Sequence, residues 1–279
     1  MSLKVAIQGG QASFHDMAVR QYFKGHSIEL CECRRFRQQC IEVVEKNVDC
    51  AVMAIENSLS GSFLANYTLL QEFPLRITGE IYLRIQQNLM ALPGQALSDI
   101  QSVHSHPMAL HQCSNFLDGH TQIRCVETFD TAESAREISE KKLKGVAAIA
   151  STFAAELYGL NILAESIENI KDNYTRFLVL SKEKGLKDPS ADKASLSFHV
   201  RHEVGALAKV LTIFKEHSVN IGLIQSIPIP GRPNEYEFHV DVEWQNRRQF
   251  DQAIQQVRQT AMESKILGEY QSGVKPYLS

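Results

Sequence analysis

The chain has 279 residues, of which 44% are hydrophobic and 22% are charged, and its formal net charge at pH 7 is −3. This balance supplies enough apolar surface for a large core and excludes a largely disordered chain. The slight negative charge argues against a nucleic-acid binder, because such domains concentrate Lys and Arg on one face. The length is typical of two domains.

The N-terminus and the cysteines indicate the environment of the protein. Val5, Ala6 and Ile7 form the first apolar run, which is far too short for a signal-peptide core or a membrane span. The six cysteines include no CxxC pair, and no residue spacing indicates a metal site. We therefore expect a cytoplasmic protein with reduced thiols, no membrane partner and no metal.

The first part of the sequence alternates short apolar runs with helical spacing. We predict strands, each followed by an amphipathic helix, at Lys4–Gln8, Ile28–Cys33, Cys50–Ile55, Gln101–His104, Ile123–Glu127 and Val146–Ala150. This βαβ order indicates an α/β fold with largely parallel sheets and helices on both faces.

A long extended stretch at residues 75–92 interrupts this alternation and is suited to carry the chain from one lobe to another. A second crossover near residues 165–175 would return the chain through the strand Tyr174–Leu180. We therefore predict a two-lobed domain over residues 1–181 with a cleft between the lobes. Residues 182–193 are polar, charged and broken by Gly and Pro, which is typical of a linker.

A second domain is predicted over residues 194–271, followed by a short tail at 272–279. Its elements are a strand, a helix, two strands, a helix and a strand, at Ala194–Arg201, Ala206–His217, Asn220–Ile227, Tyr236–Glu243, Arg247–Thr260 and Ser264–Tyr270. This βαββαβ order is typical of the ferredoxin-like fold.

Polar residues follow several predicted strands, at the edge where doubly wound sheets bind their ligands. Ser13 follows the first strand, Asn57 and Ser58 the third, Ser105 the fourth and Thr131 the fifth. Each position alone is explained by helix capping. Together they indicate a cleft lined with hydroxyl and backbone N–H groups, which suits carboxylate ligands.

A polar string, Asn173-Tyr174-Thr175-Arg176-Phe177, leads into a strongly apolar strand. As plain strand residues, Arg176 and Phe177 would face opposite sides, one toward solvent and one toward the core. As part of a ligand site, Arg176 supplies a bidentate clamp for a carboxylate. Both interpretations stay open at this point.

Several strings of this sequence resemble the motifs of the prephenate dehydratase family. Thr175-Arg176-Phe177 resembles its Thr-Arg-Phe motif, Ile55–Gly61 its Ile-Glu-Asn-Ser-x-x-Gly motif, and Ser105–Cys113 its Ser-His-Pro-x-Ala-Leu-x-Gln-Cys segment. The first loop departs from the family, because Ser13 stands where the family usually has Thr. A hydroxyl is kept at that position.

The resemblance implies a periplasmic-binding-protein-like catalytic domain that converts prephenate to phenylpyruvate, with loss of water and carbon dioxide and without any cofactor. It implies that Thr175 is the catalytic residue and forms a hydrogen bond to the leaving hydroxyl, with Glu56 as the rival proton donor. Contacts to the substrate are expected from Arg176, Phe177, Ser13, Asn57, Ser58, Ser105 and Thr131.

The βαββαβ segment resembles the amino-acid-sensing ACT domain, which implies feedback inhibition by L-phenylalanine. The expected effector site comprises Gly205, Ala206, Leu207, Asn220, Ile221, Gln225 and Ser226. Gln225 and Ile227 replace a Glu and an Arg that are common in the family, so the strength of inhibition is left open. Because such effectors bind between paired domains, we expect a homodimer or a homotetramer built as a dimer of dimers.

Two other functions remain open on the sequence. An arogenate dehydratase would act on a substrate that carries an amino group in place of the keto group, and no residue distinguishes the two substrates. A non-catalytic two-lobed protein that binds amino acids or carboxylates would share the fold. No chorismate mutase segment precedes Val5, so we expect a monofunctional enzyme.

Overall fold

The computed structural model describes residues 2–182, 188–229 and 231–275. The chain divides into two units, the first containing the residues up to Ser62 and Ile81–Phe177, and the second Phe63–Glu80 and Leu178–Val274. The predicted linker at 182–193 and tail at 272–279 fall partly outside the described residues, at 183–187 and 276–279. The predicted domain bounds therefore stay a prediction.

The first sheet has six strands, in the order β2-β1-β3-β11-β5, with β4 paired to β3. Its strands are β1 (Leu3–Gln8), β2 (Ile28–Cys33), β3 (Cys50–Asn57), β4 (Gly61–Ser62), β5 (Arg76–Arg84) and β11 (Tyr174–Ser181). β1 runs parallel to β2 and β3, as predicted. β3 is buried along nearly its whole length, which explains its continuous apolar run.

The second sheet has five strands, in the order β10-β6-β9-β7-β8. Its strands are β6 (Asn88–Ala91), β7 (Ser102–Ser105), β8 (Arg124–Glu127), β9 (Val146–Ala150) and β10 (Asn161–Ala164). β7 is parallel to β8 and β9. β6 is antiparallel to both of its neighbours, so this sheet is mixed, whereas the sequence predicted largely parallel sheets. It enters the sheet directly from the extended stretch, without the helical crossover that parallel pairing requires.

The helices of this part of the chain are α1 (Phe14–Tyr22), α2 (Phe36–Val44), α3 (Leu64–Glu72), α4 (Pro107–Gln112), α5 (Ser114–Asp118), α6 (Thr131–Lys141) and α7 (Thr152–Tyr158). Three of them, α1, α4 and α6, begin within two residues of a predicted capping residue. In β9, Ala147 and Ile149 belong to one apolar cluster, and Ala148 and Ala150 to another. Both faces of the second sheet are therefore covered, as the βαβ pattern predicts.

The second unit contains a four-stranded sheet in the order β13-β14-β12-β15, and the pairs are antiparallel. The elements are β12 (Lys193–His199), α8 (Ala206–Glu216), β13 (Asn220–Pro228), β14 (Tyr236–Glu243), α9 (Arg247–Thr260) and β15 (Glu263–Tyr270). The predicted βαββαβ order is confirmed. Both helices pack on one face of the sheet around an apolar core that includes Phe214, Val240 and Phe250. No helix within the described residues is long and apolar enough to cross a membrane.

Candidate active site

The side chain of Asn57 ties together the ends of two neighbouring strands, β3 and β11. Its Nδ2 group donates to Thr175 Oγ1 at 2.9 Å and to Asn173 Oδ1 at 2.7 Å. Asn57 is 5% exposed and Asn173 is fully buried. Buried amides need such partners, because an unmade hydrogen bond in the interior costs about 1–3 kcal/mol. The two motifs that carry Asn57 and Thr175 therefore meet in space.

The other end of the Asn57 amide is fixed by the turn that follows β3. Its Oδ1 atom accepts hydrogen bonds from Leu59 N at 3.0 Å and Ser60 N at 2.9 Å. An amide whose oxygen binds backbone N–H groups cannot exchange its two ends without losing those bonds. The Nδ2 group is therefore held toward Thr175.

The hydroxyl of Thr175 is positioned by this contact. Because Oγ1 accepts from Asn57, the hydroxyl proton is left to point at a different acceptor. Thr175 is 7% exposed, so bulk solvent has little access to its side chain. Hydrogen bonds in series polarise one another, and a hydroxyl that accepts one bond donates more strongly. The arrangement can thus present a directed proton donor to a bound molecule.

Ser58 fastens the loop after β3 to the start of β11. Its N–H donates to Tyr174 O at 2.8 Å, its Oγ accepts from Tyr174 N at 3.0 Å and donates to Asp172 O at 3.2 Å. The Ser58 side chain is exposed but already occupied by the backbone. Its structural role is to hold the strand that carries Thr175.

Gln112 was not singled out as a site residue by the sequence, although it lies in the Ser105–Cys113 motif. It ends α4, and its Oε1 atom accepts a hydrogen bond from Asn173 Nδ2 at 3.2 Å. The helix packs on the second sheet. Gln112 therefore connects the Asn57 cluster to a helix that packs on the second sheet, and its place in the motif was the available signal.

Ser13 is the N-cap of α1, and the capping interpretation holds for it. Its Oγ accepts from Asp16 N at 3.4 Å, while Asp16 Oδ2 accepts from Ala12 N at 2.8 Å. Ser13 is only 3% exposed. The carbonyl of Ala12 accepts a hydrogen bond from Ser151 Oγ, the N-cap of α7, at 2.9 Å. The loop after β1 thus contacts the start of α7, the helix that follows β9.

Thr131 begins α6, but the residue that caps this helix is Asp130. Asp130 Oδ1 accepts from Glu133 N at 2.9 Å, and burial raises the pKa of its carboxyl. A Cβ atom on Gly9, which has φ of +88°, would lie 2.8 Å from Asp130 Oδ2. A carboxylate already occupies this helix end, so α6 is less open to an anion than the sequence suggested. Thr131 itself is 8% exposed.

Ser105 lies at the end of β7 and is fully buried. Its hydroxyl donates to Ile149 O in the neighbouring strand at 2.6 Å. The hydroxyl that was expected to face the cleft is therefore used within the sheet.

Arg176 and Phe177 are both buried, with exposed fractions of 3% and 1%. The plain-strand interpretation, in which one of them faces solvent, therefore does not apply. The ring of His15 meets the ring of Phe177 edge-on, with a centroid distance of 5.0 Å and an interplanar angle of 82°. Burial lowers the pKa of His15 to about 3, so its imidazole is neutral.

The residues expected to bind an effector lie in two places. Ala206 and Leu207 line a cavity of about 120 Å³, together with Arg201, Tyr236 and Phe238. Gly205 is the N-cap of α8 with φ of +81°, which suits a residue without a side chain. Asn220 and Ile221 begin β13, while Gln225 and Ser226 lie further along it. Within the described residues, no group of three or more His, Cys, Asp or Glu side chains is placed to hold a metal ion.

The chain is similar in sequence to proteins that are named for two different dehydratase activities. The chain is 35% identical over 272 residues to the bifunctional chorismate mutase/prephenate dehydratase of Aquifex aeolicus, which covers 96% of this chain and 73% of that protein. It is 36% identical over 291 residues to arogenate dehydratase 2 of Petunia hybrida, with 97% and 72% covered.

Solved structures share the fold along nearly the whole chain. GqqA, described as a novel type of quorum quenching acylase, superposes with a TM-score of 0.88 at 30% identity and covers 99% of this chain and 100% of that chain. Prephenate dehydratase of Arthrobacter aurescens in complex with L-Phe has a TM-score of 0.86 at 28% identity, with 96% and 90% covered. Residues 5–185 match the family described as prephenate dehydratase, and the chain belongs to this family of dehydratase enzymes.

Proposed function

We propose that this protein converts prephenate to phenylpyruvate, and that Thr175 donates the hydrogen bond that helps the ring hydroxyl to leave. The observation that carries the proposal is the 2.9 Å hydrogen bond from Asn57 Nδ2 to Thr175 Oγ1. It fixes the hydroxyl rotor before substrate arrives. Preorganised donors of this kind stabilise developing negative charge without reorganisation during the reaction.

The chemistry requires a donor more than a strong acid. The bond from the ring to its carboxylate breaks, its electron pair restores the aromatic ring, and hydroxide leaves from the opposite carbon with a proton to form water. Aromatisation supplies the driving force, so the enzyme must orient the ring and stabilise the departing oxygen. Thr175, buried and held by Asn57, meets the second need.

The remaining site residues divide into contacts and supports. We assign Arg176 to a substrate carboxylate, because a guanidinium binds carboxylates in a bidentate manner. Phe177 anchors the strand and, with Thr131 and Ser13, completes the wall around the substrate. Ser58 and Ser105 act by holding β11 and β7, since their hydroxyls already bind backbone carbonyls.

Substitution of Thr175 tests the mechanism. We expect Thr175→Ala to lower kcat by roughly 10²- to 10⁴-fold, the usual loss when a positioned proton donor is removed. Thr175→Ser keeps the hydroxyl and should retain most of the turnover. Glu56→Gln tests the rival donor in the same assay of phenylpyruvate formation. Near-normal turnover in Thr175→Ala, or a larger loss in Glu56→Gln, would remove Thr175 from its role.

Arogenate dehydratase is the second candidate function, supported by the 36% identity to the Petunia hybrida enzyme. The substrates share the ring, its carboxylate and its hydroxyl, so the Asn57–Thr175 pair serves both. Rates of formation of phenylpyruvate from prephenate and of phenylalanine from arogenate, measured side by side, decide between them.

The βαββαβ segment is proposed to be an ACT domain that binds L-phenylalanine and inhibits the enzyme. α8 has 11 residues, so at about 1.5 Å per residue roughly 16 Å separates its start at Gly205 from its end near Asn220. Gly205 and Asn220 of one chain therefore lie too far apart to contact the same amino acid. We therefore propose that a second copy completes the site, in a homodimer or a dimer of dimers, and that residues 1–181 form the catalytic domain.

Calorimetry and sedimentation test this arrangement. We expect heat of binding with phenylalanine, reduced turnover in its presence, and a species of at least dimer mass. If the protein binds phenylalanine as a monomer, with the same affinity as at concentrations where it is oligomeric, the site is not shared between two copies.

A further inference from the structure

One face of the four-stranded sheet is polar yet buried. In β12, Ala194, Leu196 and Phe198 belong to the apolar core beneath the two helices. The alternate residues point to the opposite face and are at most 7% exposed, as are two residues of β14; they are Lys193, Ser195, Ser197, His199, His239 and Asp241. Buried polar residues need partners. Residues 63–80 supply some of them.

An ion pair joins this polar face to the end of that segment. Lys193 Nζ lies 2.9 Å and 3.0 Å from the two carboxylate oxygens of Glu80, and 3.4 Å from Glu243. Glu80 Oε1 also accepts a hydrogen bond from Gly273 N at 3.0 Å. The Lys193 and Glu80 side chains are at most 3% exposed. Burial of a charge pair contributes little net stability but allows very few alternative geometries.

A second set of contacts reaches α3. Asp241 Oδ1 accepts from Ser195 Oγ at 2.5 Å and lies 3.4 Å from His239 Nε2. Ser195 Oγ also contacts Tyr270 OH at 2.7 Å. The His239 ring meets the ring of Tyr67 edge-on at 4.7 Å, and Tyr67 is fully buried. α3 thus packs on the polar face through a connected group of side chains.

The start of β5 lies directly against β15. Arg76 Nη1 donates to Ile266 O at 2.7 Å. A Cβ atom on Gly268 would lie only 2.0 Å from Ile77 O, so no side chain fits between the two backbones. Interfaces packed this closely move as one body or separate, rather than deform gradually.

Residues 63–80, which make these contacts, are continuous in sequence with residues of the candidate active site. The chain passes from one unit to the other after Ser62, Glu80 and Phe177. The first passage follows the turn held by Asn57, and the last directly follows Thr175-Arg176-Phe177. Residues 63–80 are therefore separated by only a few residues of chain from the turn held by Asn57.

We propose that the polar contacts between residues 63–80 and the four-stranded sheet, centred on the Lys193–Glu80 pair, transmit effector binding to Thr175. The inference rests on the proposed function, because its readout is the control of that activity. The segment contains none of the residues that we assign to substrate contacts.

The test compares a double variant, Lys193→Met/Glu80→Gln, with the wild type. Removing both charges avoids leaving one of them buried and unpaired. We expect turnover to persist and phenylalanine to bind with an affinity within about threefold of the wild type, while the concentration that halves the activity rises at least about tenfold. Lys4→Met, which breaks an exposed pair with Glu29, is the matched control and should be inhibited like the wild type.

Inhibition of the double variant at the wild-type concentration would overturn the proposal. If the double variant does not fold, Tyr67→Leu tests the same interface with the same readouts, and unchanged inhibition there is equally decisive. Hydrogen exchange separates this inference from the proposed function. Phenylalanine should slow or speed amide exchange at residues 57–60 and 173–177 in the wild type and not in the variant, even if prephenate proves not to be the substrate.

Discussion

The buried imidazole of His15 should make the protein less stable at mildly acidic pH. Burial lowers its pKa from 6.5 to about 3, so the folded state keeps it neutral while the unfolded chain takes up a proton below pH 6.5. Above pH 6.5 this difference has no effect on stability, and as the pH falls from 6.5 toward 3 the folded state is progressively destabilised. A pH of 5 is about 1.5 units below the pKa of a His in the unfolded chain. Protonation therefore lowers the free energy of the unfolded state by about 2 kcal/mol, since each unit corresponds to about 1.36 kcal/mol.

Urea unfolding at pH 7 and at about pH 5 measures this loss. His15→Leu should lower stability at pH 7 but reduce the change between the two pH values by about 2 kcal/mol relative to the wild type. Equal pH dependence in His15→Leu and the wild type would show that His15 is not held neutral by burial, and the reasoning would fail.

Other substitutions probe the close approaches and the thiols. Gly268→Ala should destabilise the second unit by several kcal/mol, because its Cβ would lie 2.0 Å from Ile77 O. Thermal melting measures this loss, and an unchanged Tm would contradict the close packing of the two backbones. Gly9→Ala should lower the stability of the first unit, since its Cβ would press on Asp130 Oδ2 and strain a φ of +88°. Thermal melting measures this, and a wild-type Tm would refute it. With a thiol reagent, native protein should react fastest at exposed Cys125, as peptide mapping would show; faster labelling of the buried thiols would contradict the structure.

Much of the fold could be predicted because local signals agreed with tertiary structure. β14 and α9 have the predicted bounds, since alternation marks the strand and Asn246 caps the helix at its predicted start. The reversed direction of β6 could not be predicted, because pairing direction depends on how the chain enters the sheet. Nothing in the sequence indicated that residues 63–80 group with the second unit. The sequence pattern around Tyr67 is the same whichever sheet buries its ring.

The candidate site stays a prediction from motif strings, and its hydrogen bonds could not be predicted from them. Motif strings located Asn57 and Thr175, but only the pairing of strand ends shows that one donates to the other. Gln112 was missed as a site residue because its bond to Asn173 depends on the approach of α4 to β11. Spacing along a chain does not encode such distances.

The positions of the hydroxyl groups change how substrate recognition must work. Ser13 and Ser151 cap their own helices, and Ser105 binds a carbonyl inside its sheet. These groups are satisfied before any ligand arrives, so exchanging them for ligand contacts would add little affinity. Under the proposed function, the substrate carboxylates are assigned to Arg176 and the leaving hydroxyl to Thr175, which places both of these contacts on β11. A site with few committed donors binds the ground state weakly and stabilises the departing oxygen selectively, which is the condition under which binding energy raises kcat.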